Sequence, residues 1–162
     1  MQENLGLLDL TDSRKKPVDI MDLPGHDRLR TKCLEKHKSS ALGIVYVLDA
    51  STITKNIRDV TEFLFQILSD PSIHGNRTSI LIVCNKQDMT LAKGSTVIER
   101  ELAKEIGLLR ETHSKSLQGT DGNVINHVFL GKVGKDFVFS DLKAKVLMRI
   151  INLIAIGFWK CP

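Results

Sequence analysis

The chain has 162 residues, 42% hydrophobic and 26% charged, with four Pro and eleven Gly, proportions that exclude disordered, fibrous and low-complexity classes and suit one globular core. Its 23 basic and 19 acidic residues leave a net charge of +4, with the basic residues scattered along the chain, so no nucleic-acid footprint is expected. Three cysteines, Cys33, Cys84 and Cys161, lack any Cys-x-x-Cys spacing, which argues against a disulfide framework or a zinc site and for a reducing, cytosolic environment.

The chain opens MQENLGLLDL, with Glu3 and Asp9 where a signal peptide would carry a basic flank, and neither a signal peptide nor a membrane span is expected there. Residues 5–10, followed by the polar TDSRKK, can pair as a hairpin with PVDIMD at 17–22. That second segment, ALGIVYVLD at 41–49 and TSILIVC at 78–84 are short apolar runs that predict three buried strands. Between the last two, Ile53, Ile57, Val60, Leu64, Ile67 and Leu68 recur every three or four residues, the stripe of a helix that ends before Pro71. Thr96-Val97-Ile98-Glu99 has the capping-box pattern, and Ile98, Leu102, Ile106 and Leu109 continue a helix to about Arg110.

Residues 111–135 are polar, Gly-dotted and without period, and predict an inserted surface loop. FVFSDL at 137–142 is a short strand candidate. The longest apolar stretch, VLMRIINLIAIGFW at 146–159, is 14 residues long, short of the roughly 20 that span a bilayer, and predicts a buried element before a membrane anchor. The alternation of strand and helix predicts a single α/β domain over 1–162: a three-layer sandwich around a mostly parallel sheet whose strands are buried on both faces.

In such sheets ligands bind beyond the C-terminal ends of the strands. The first predicted strand exits into Asp22-Leu23-Pro24-Gly25-His26. An Asp there can hold magnesium directly or through water, and a Gly three residues on lets a backbone N–H approach a phosphate. Asp-x-x-Gly alone is weak evidence, and a Pro-Gly turn explains it as well.

The third strand exits into Asn85-Lys86-Gln87-Asp88. Guanine presents two neighbouring N–H donors on its Watson–Crick edge, which one carboxylate accepts together, while adenine would leave that carboxylate unpaired. Asp88 therefore suits guanine, the Asn85 amide can bond near the base and brace the loop, and the apolar stem of Lys86 can lie along the ring. Asn-Lys-x-Asp arises by chance in roughly one chain of this length in fifty, and its place after a buried strand makes it the most specific signal in the sequence.

These two motifs are those of the GTPase superfamily. DLPGHDRLR, KSSALGIVYVLDA, DVTEFLFQILSD, VCNKQD, AKEIGLLRETHS and LGKVGKDFVFSDL narrow it: over about residues 17–147 the chain resembles the β subunit family of the signal recognition particle receptor, small GTPases related to the Arf and Sar types. The resemblance implies the P-loop NTPase-like fold, GTP with magnesium as ligands, the receptor α subunit as partner, and the cytosolic face of the endoplasmic reticulum membrane as location. By the same likeness Asp22 would help hold magnesium through water and Gly25 would contact the γ-phosphate. His26 would stand where many GTPases orient the attacking water. Asn85, Lys86 and Asp88 would form the guanine pocket.

The sequence also departs from that family. It contains no Gly-x-x-x-x-Gly-Lys-Ser/Thr phosphate loop, since in the nearest stretch, Gly131-Lys132-Val133-Gly134-Lys135, Phe129 stands five residues before Gly134 and Asp136 where the hydroxyl belongs. Only 21 residues precede Asp22, too few for the first strand, phosphate loop, helix and switch segment. From 148 to 162 a divergent hydrophobic tail stands where the family has a Ser-Ala-Lys turn and a closing helix. GTP binding is thus expected to be weak or absent, and the missing phosphate loop counts against hydrolysis. The runner-up reading is a truncated, nucleotide-free binding module or a non-functional fragment of that GTPase.

Overall fold

A computed structural model describes residues 4–8, 18–23, 25–116 and 128–150, and the chain divides into two compact units, Met1–Ser40 and Ala41–Pro162. In the first, β1 (Asn4–Leu8) and β2 (Val18–Asp22) pair antiparallel, Asn4 opposite Asp22 and Leu8 opposite Val18. The expected hairpin is present, but the expected burial of 17–22 is not: Asp19, Ile20 and Asp22 are exposed. Asp19 and Asp22 fall on opposite faces of the strand, so neither face can be buried without desolvating a carboxylate. A helix that the apolar pattern did not announce, α1 (Asp27–His37), follows. Its half-buried positions, Leu29, Cys33, Leu34 and His37, make a narrow stripe, and Lys36 and His37 in the last turn complement the helix dipole.

In the second unit β3 (Gly43–Asp49), β4 (Ser79–Asn85) and β5 (Val146–Ile150) form a parallel sheet in that order. The crossover from β3 to β4 is α2 (Ile53–Ser69) with a short α3 (Pro71–Gly75), which Asp70 caps by accepting from the amides of Ser72 and Ile73. The helix α4 (Ser95–Ser116) packs on α2. Leu48, Ile80, Ile82 and Cys84 of the sheet, Ile53, Leu64, Ile67 and Leu68 of α2, and Ile98, Leu102 and Ile106 of α4 form the core. The Tyr46 hydroxyl crosses from β3 to α2, donating to the Val60 carbonyl at 2.7 Å.

The α/β class and the parallel sheet agree with the sequence reading, but burial is not two-sided throughout. On the sheet face opposite Leu48 and Ile82, Val83 of the central strand is 2% exposed, whereas Val45 and Val47 of β3 are 64% and 54% exposed. Among the described residues β3 is paired on one side only, so these valines lack the neighbours that cover Val83.

Four further expectations need correction. The helix α4 begins at Ser95, with the Val97 and Ile98 amides bonded to the Gly94 carbonyl, so Thr96 lies inside it and does not cap it. It also continues through residues 111–116, which were expected to be loop. Thr112 and Ser114 return their hydroxyls to the carbonyls of Leu108 and Arg110, and His113 stacks on buried Phe65 at 5.0 Å, so polar residues sustain a helix without an apolar stripe. Within 137–142 a 3-10 turn at Phe139–Asp141 replaces the expected strand; Phe137 and Phe139, the source of the apolar signal, are buried edge to face and anchor it. Finally, Met148, Arg149 and Ile150 pair with Ile82, Val83 and Cys84, so 148–150 belong to the sheet, not to a divergent tail. The rest of the expected loop at 117–127 and of the tail at 151–162 lies outside the described residues. His37, His74 and His113 are half-buried.

Candidate nucleotide-binding site

Parallel pairing sets Asp49, the last residue of β3, opposite Asn85, the last of β4, so both strands deliver their C-terminal ends to one edge of the sheet. The Asn85 carbonyl accepts from the Ala50 amide at 3.0 Å, and the Ala50 carbonyl accepts from the Lys93 amide at 3.1 Å. These two bonds stitch the exit of β3 to both ends of the loop after β4. Within that loop Lys86 takes φ +61°, a left-handed conformation that costs a residue with a β-carbon about 1 kcal/mol. The chain then turns back, the Met89 amide donating to the Lys86 carbonyl at 3.2 Å and the Gln87 side chain donating to the Lys93 carbonyl at 2.9 Å. Lys93 is itself paired with Glu101 of α4.

The Lys86 ammonium meets the Asp49 carboxylate at 2.7 Å. The other Asp49 oxygen accepts from the Ser51 amide at 2.9 Å and the Ser51 hydroxyl at 2.6 Å. The hydrogen bond from Lys86, seconded by those from Ser51, holds the Asp49 carboxyl at about 2, below its ordinary 3.8. Asn85 is half-buried, while Lys86 and Asp88 are exposed, so the Asp88 carboxylate is open to a ligand. Beneath them burial, with the Glu99 charge adding to it, pushes the Cys84 thiol up to about 11, and Cys84 is inert filler at neutral pH.

The other predicted residues lie in the first unit. Asp22 ends β2 and is exposed. Gly25 is exposed and a β-carbon built on it would meet nothing within 4 Å, so neither packing nor a left-handed φ demands glycine there. His26 occupies the N-cap of α1, its carbonyl accepting from the amides of Leu29 and Arg30 at 3.0 and 2.9 Å. Its imidazole makes no capping bond. Among the described residues no three His, Cys, Asp or Glu gather as a metal site.

The sequence reading therefore finds Asn85, Lys86 and Asp88 together on one loop and misses Asp49, Ser51 and Lys93, which organise that loop. The available signal was Asp49-Ala50-Ser51 at a strand exit, an Asp followed two residues on by the Ser whose amide it binds.

The family described as Signal recognition particle receptor beta subunit matches residues 2–146. The subunit of that name from Homo sapiens is 42% identical over 137 residues, 85% of this chain and 51% of the relative. The one from Saccharomyces cerevisiae is 32% identical over 155 residues, 88% of this chain and 64% of the relative. The chain thus spans about half the length of the mammalian relatives it matches. Among solved structures, the mammalian SRP receptor superposes with a TM-score of 0.79 at 36% identity, covering 93% of this chain and 73% of that one. A match of this extent places the chain in the signal recognition particle receptor beta subunit family.

Proposed function

We propose that the chain acts as a guanine-nucleotide-binding receptor subunit in co-translational protein targeting to the endoplasmic reticulum membrane, docking the receptor α subunit on the cytosolic face. The observation that carries the nucleotide reading is the loop after β4: Asp88 is exposed on a turn that the exits of two strands hold in place, so its carboxylate can meet both guanine donors without reordering the chain. Asn85 braces the loop and Lys86 flanks the base. Asp22 serves magnesium through water, Gly25 the γ-phosphate, and His26 the attacking water.

A solved relative described as an SRb-GDP-Mg structure from Chaetomium thermophilum shares the fold at 22% identity with a TM-score of 0.68, and another is described as an SRb-GTP/SRX complex. Ligand and partner come to this chain by that kinship. Among the described residues no helix is long and apolar enough to cross a membrane, so the membrane assignment rests on the family. A second reading, a partner-binding module without nucleotide, draws on the exposed exit of β2 and the missing phosphate-loop motif, because phosphate contacts supply much of a nucleotide's charge-assisted binding.

Titration of the purified chain with guanosine, adenosine and xanthosine diphosphates decides between them. Guanine-selective binding is the expected result. Asp88→Asn should shift preference toward xanthosine diphosphate by about tenfold or more, because an amide can donate to the oxygen that xanthine carries in place of the guanine amine. Equal, base-independent affinities for all three would overturn the nucleotide reading.

A further inference from the structure

We propose that Asp49 is a positioning residue for the base-reading loop, acting through Lys86. This rests on the reading of residues 85–88 as that loop and extends it to the neighbouring strand exit. Three observations meet here. Lys86 sits at φ +61°, a conformation that a β-carbon disfavours and that persists only where the surroundings hold it. Its ion pair runs 37 residues along the chain to Asp49, at 2.7 Å. Asp49 is itself fixed by two bonds from Ser51 to its other oxygen, so both carboxylate oxygens are engaged and the acceptor offered to Lys86 has a set direction.

The stem of a lysine can lie flat along an aromatic ring only while its ammonium is satisfied beyond the ring's edge. A free Lys86, more than half exposed along its side chain, would sample many rotamers and lose that freedom on binding, at a cost to affinity. Asp49 removes the cost in advance. The pairing of Asp49 with Asn85 in the sheet register makes this possible: Asp49 reaches across one strand spacing to the residue that follows Asn85. Its carboxyl, held at about 2, is charged at neutral pH.

The test is a double-mutant cycle on the full chain, reading guanosine diphosphate affinity from amide chemical shifts together with urea stability. Asp49→Asn, which keeps the shape and the Ser51 contact, should weaken binding about fivefold, while in a Lys86→Met background it should weaken binding less than about twofold further. Ser51→Ala should give a smaller loss in the same direction. Equal losses from Asp49→Asn in both backgrounds would mean Asp49 acts on the loop without Lys86, and would overturn the proposal. So would full affinity in Asp49→Asn beside an intact Asp88→Asn base switch, a result that leaves the guanine reading standing. If the wild-type chain shows no guanine preference, both fail together. Unfolding is read separately: a variant that loses stability and affinity in proportion in both backgrounds also counts against Asp49.

Discussion

The exits of β4 and β2, which carry the two motifs proposed to bind nucleotide, are built differently. At the β4 exit the Ala50 and Lys93 amides, the Gln87 side chain and the Asp49–Lys86 pair all bond into one loop over a sheet end whose Ile82 and Cys84 are fully buried. At the β2 exit Asp22, Gly25 and His26 are all exposed, and the first turn of α1 bonds to the His26 carbonyl. A base is rigid and planar, and reading it calls for a fixed acceptor. Among the described residues the contacts at the β2 exit are local, and Asp22 is exposed. The difference teaches that the loop after β4 is a property of the core of the second unit, whereas the residues after β2 stand open to water.

The most forceful way to break that contrast is to remove the support under the β4 exit. Ile82→Ala, at a fully buried position of the central strand, should cost about 3 kcal/mol in urea unfolding, and hydrogen exchange should show lost protection at the Ala50 and Lys93 amides. Survival of that protection at full strength would show the loop to be held by its own bonds and not by the sheet. A smaller effect comes from acid. The folded carboxyl of Asp49 titrates at about 2 against an ordinary 3.8, so its contribution is present above the ordinary value and is lost as pH falls from about 4 toward 2. With Lys86 largely solvated, about 1 kcal/mol is at stake. Asp49→Asn should erase that part of the acid dependence, measured as urea midpoints across this pH range; an unchanged profile would show the pair contributes nothing.

Legibility in the sequence follows the same division. Strands β3 and β4 and helix α2 are plain because apolar runs and a three-four stripe record burial directly. The loop 85–88 is plain because the guanine reading proposed for it calls for those residue types in that order. What stays hidden is order that polar groups supply. Helix α1 has too few apolar residues to show a period, although Leu29, Cys33 and His37 keep a spacing of four. The last turns of α4 are held by hydroxyls and by His113 on Phe65. The segment after residue 127 reads as loose, yet Arg110, 8% exposed, donates to the carbonyls of Leu130, Lys132 and Lys135 and lies over the Phe129 ring. A charged residue at the end of an apolar stripe looks like its terminus and is here its anchor.

The smallest expected effect sharpens the comparison most. Gly25 has open space around the position of a β-carbon and no left-handed φ, so Gly25→Ala should leave stability unchanged or raise it by about 0.5 kcal/mol, through reduced freedom of the unfolded chain. At the β4 exit no such indifference is expected, because the backbone there is committed by its bonds. If Gly25 stands at this exit for the sake of a phosphate, Gly25→Ala should lower affinity for guanosine triphosphate more than for guanosine monophosphate while urea stability holds. If it serves only the turn, stability should fall by about 1 kcal/mol and the ratio of the two affinities should stay the same. The first outcome makes the β2 exit a ligand contact that packing does not enforce; the second makes it part of the fold and removes Gly25 from the candidate site.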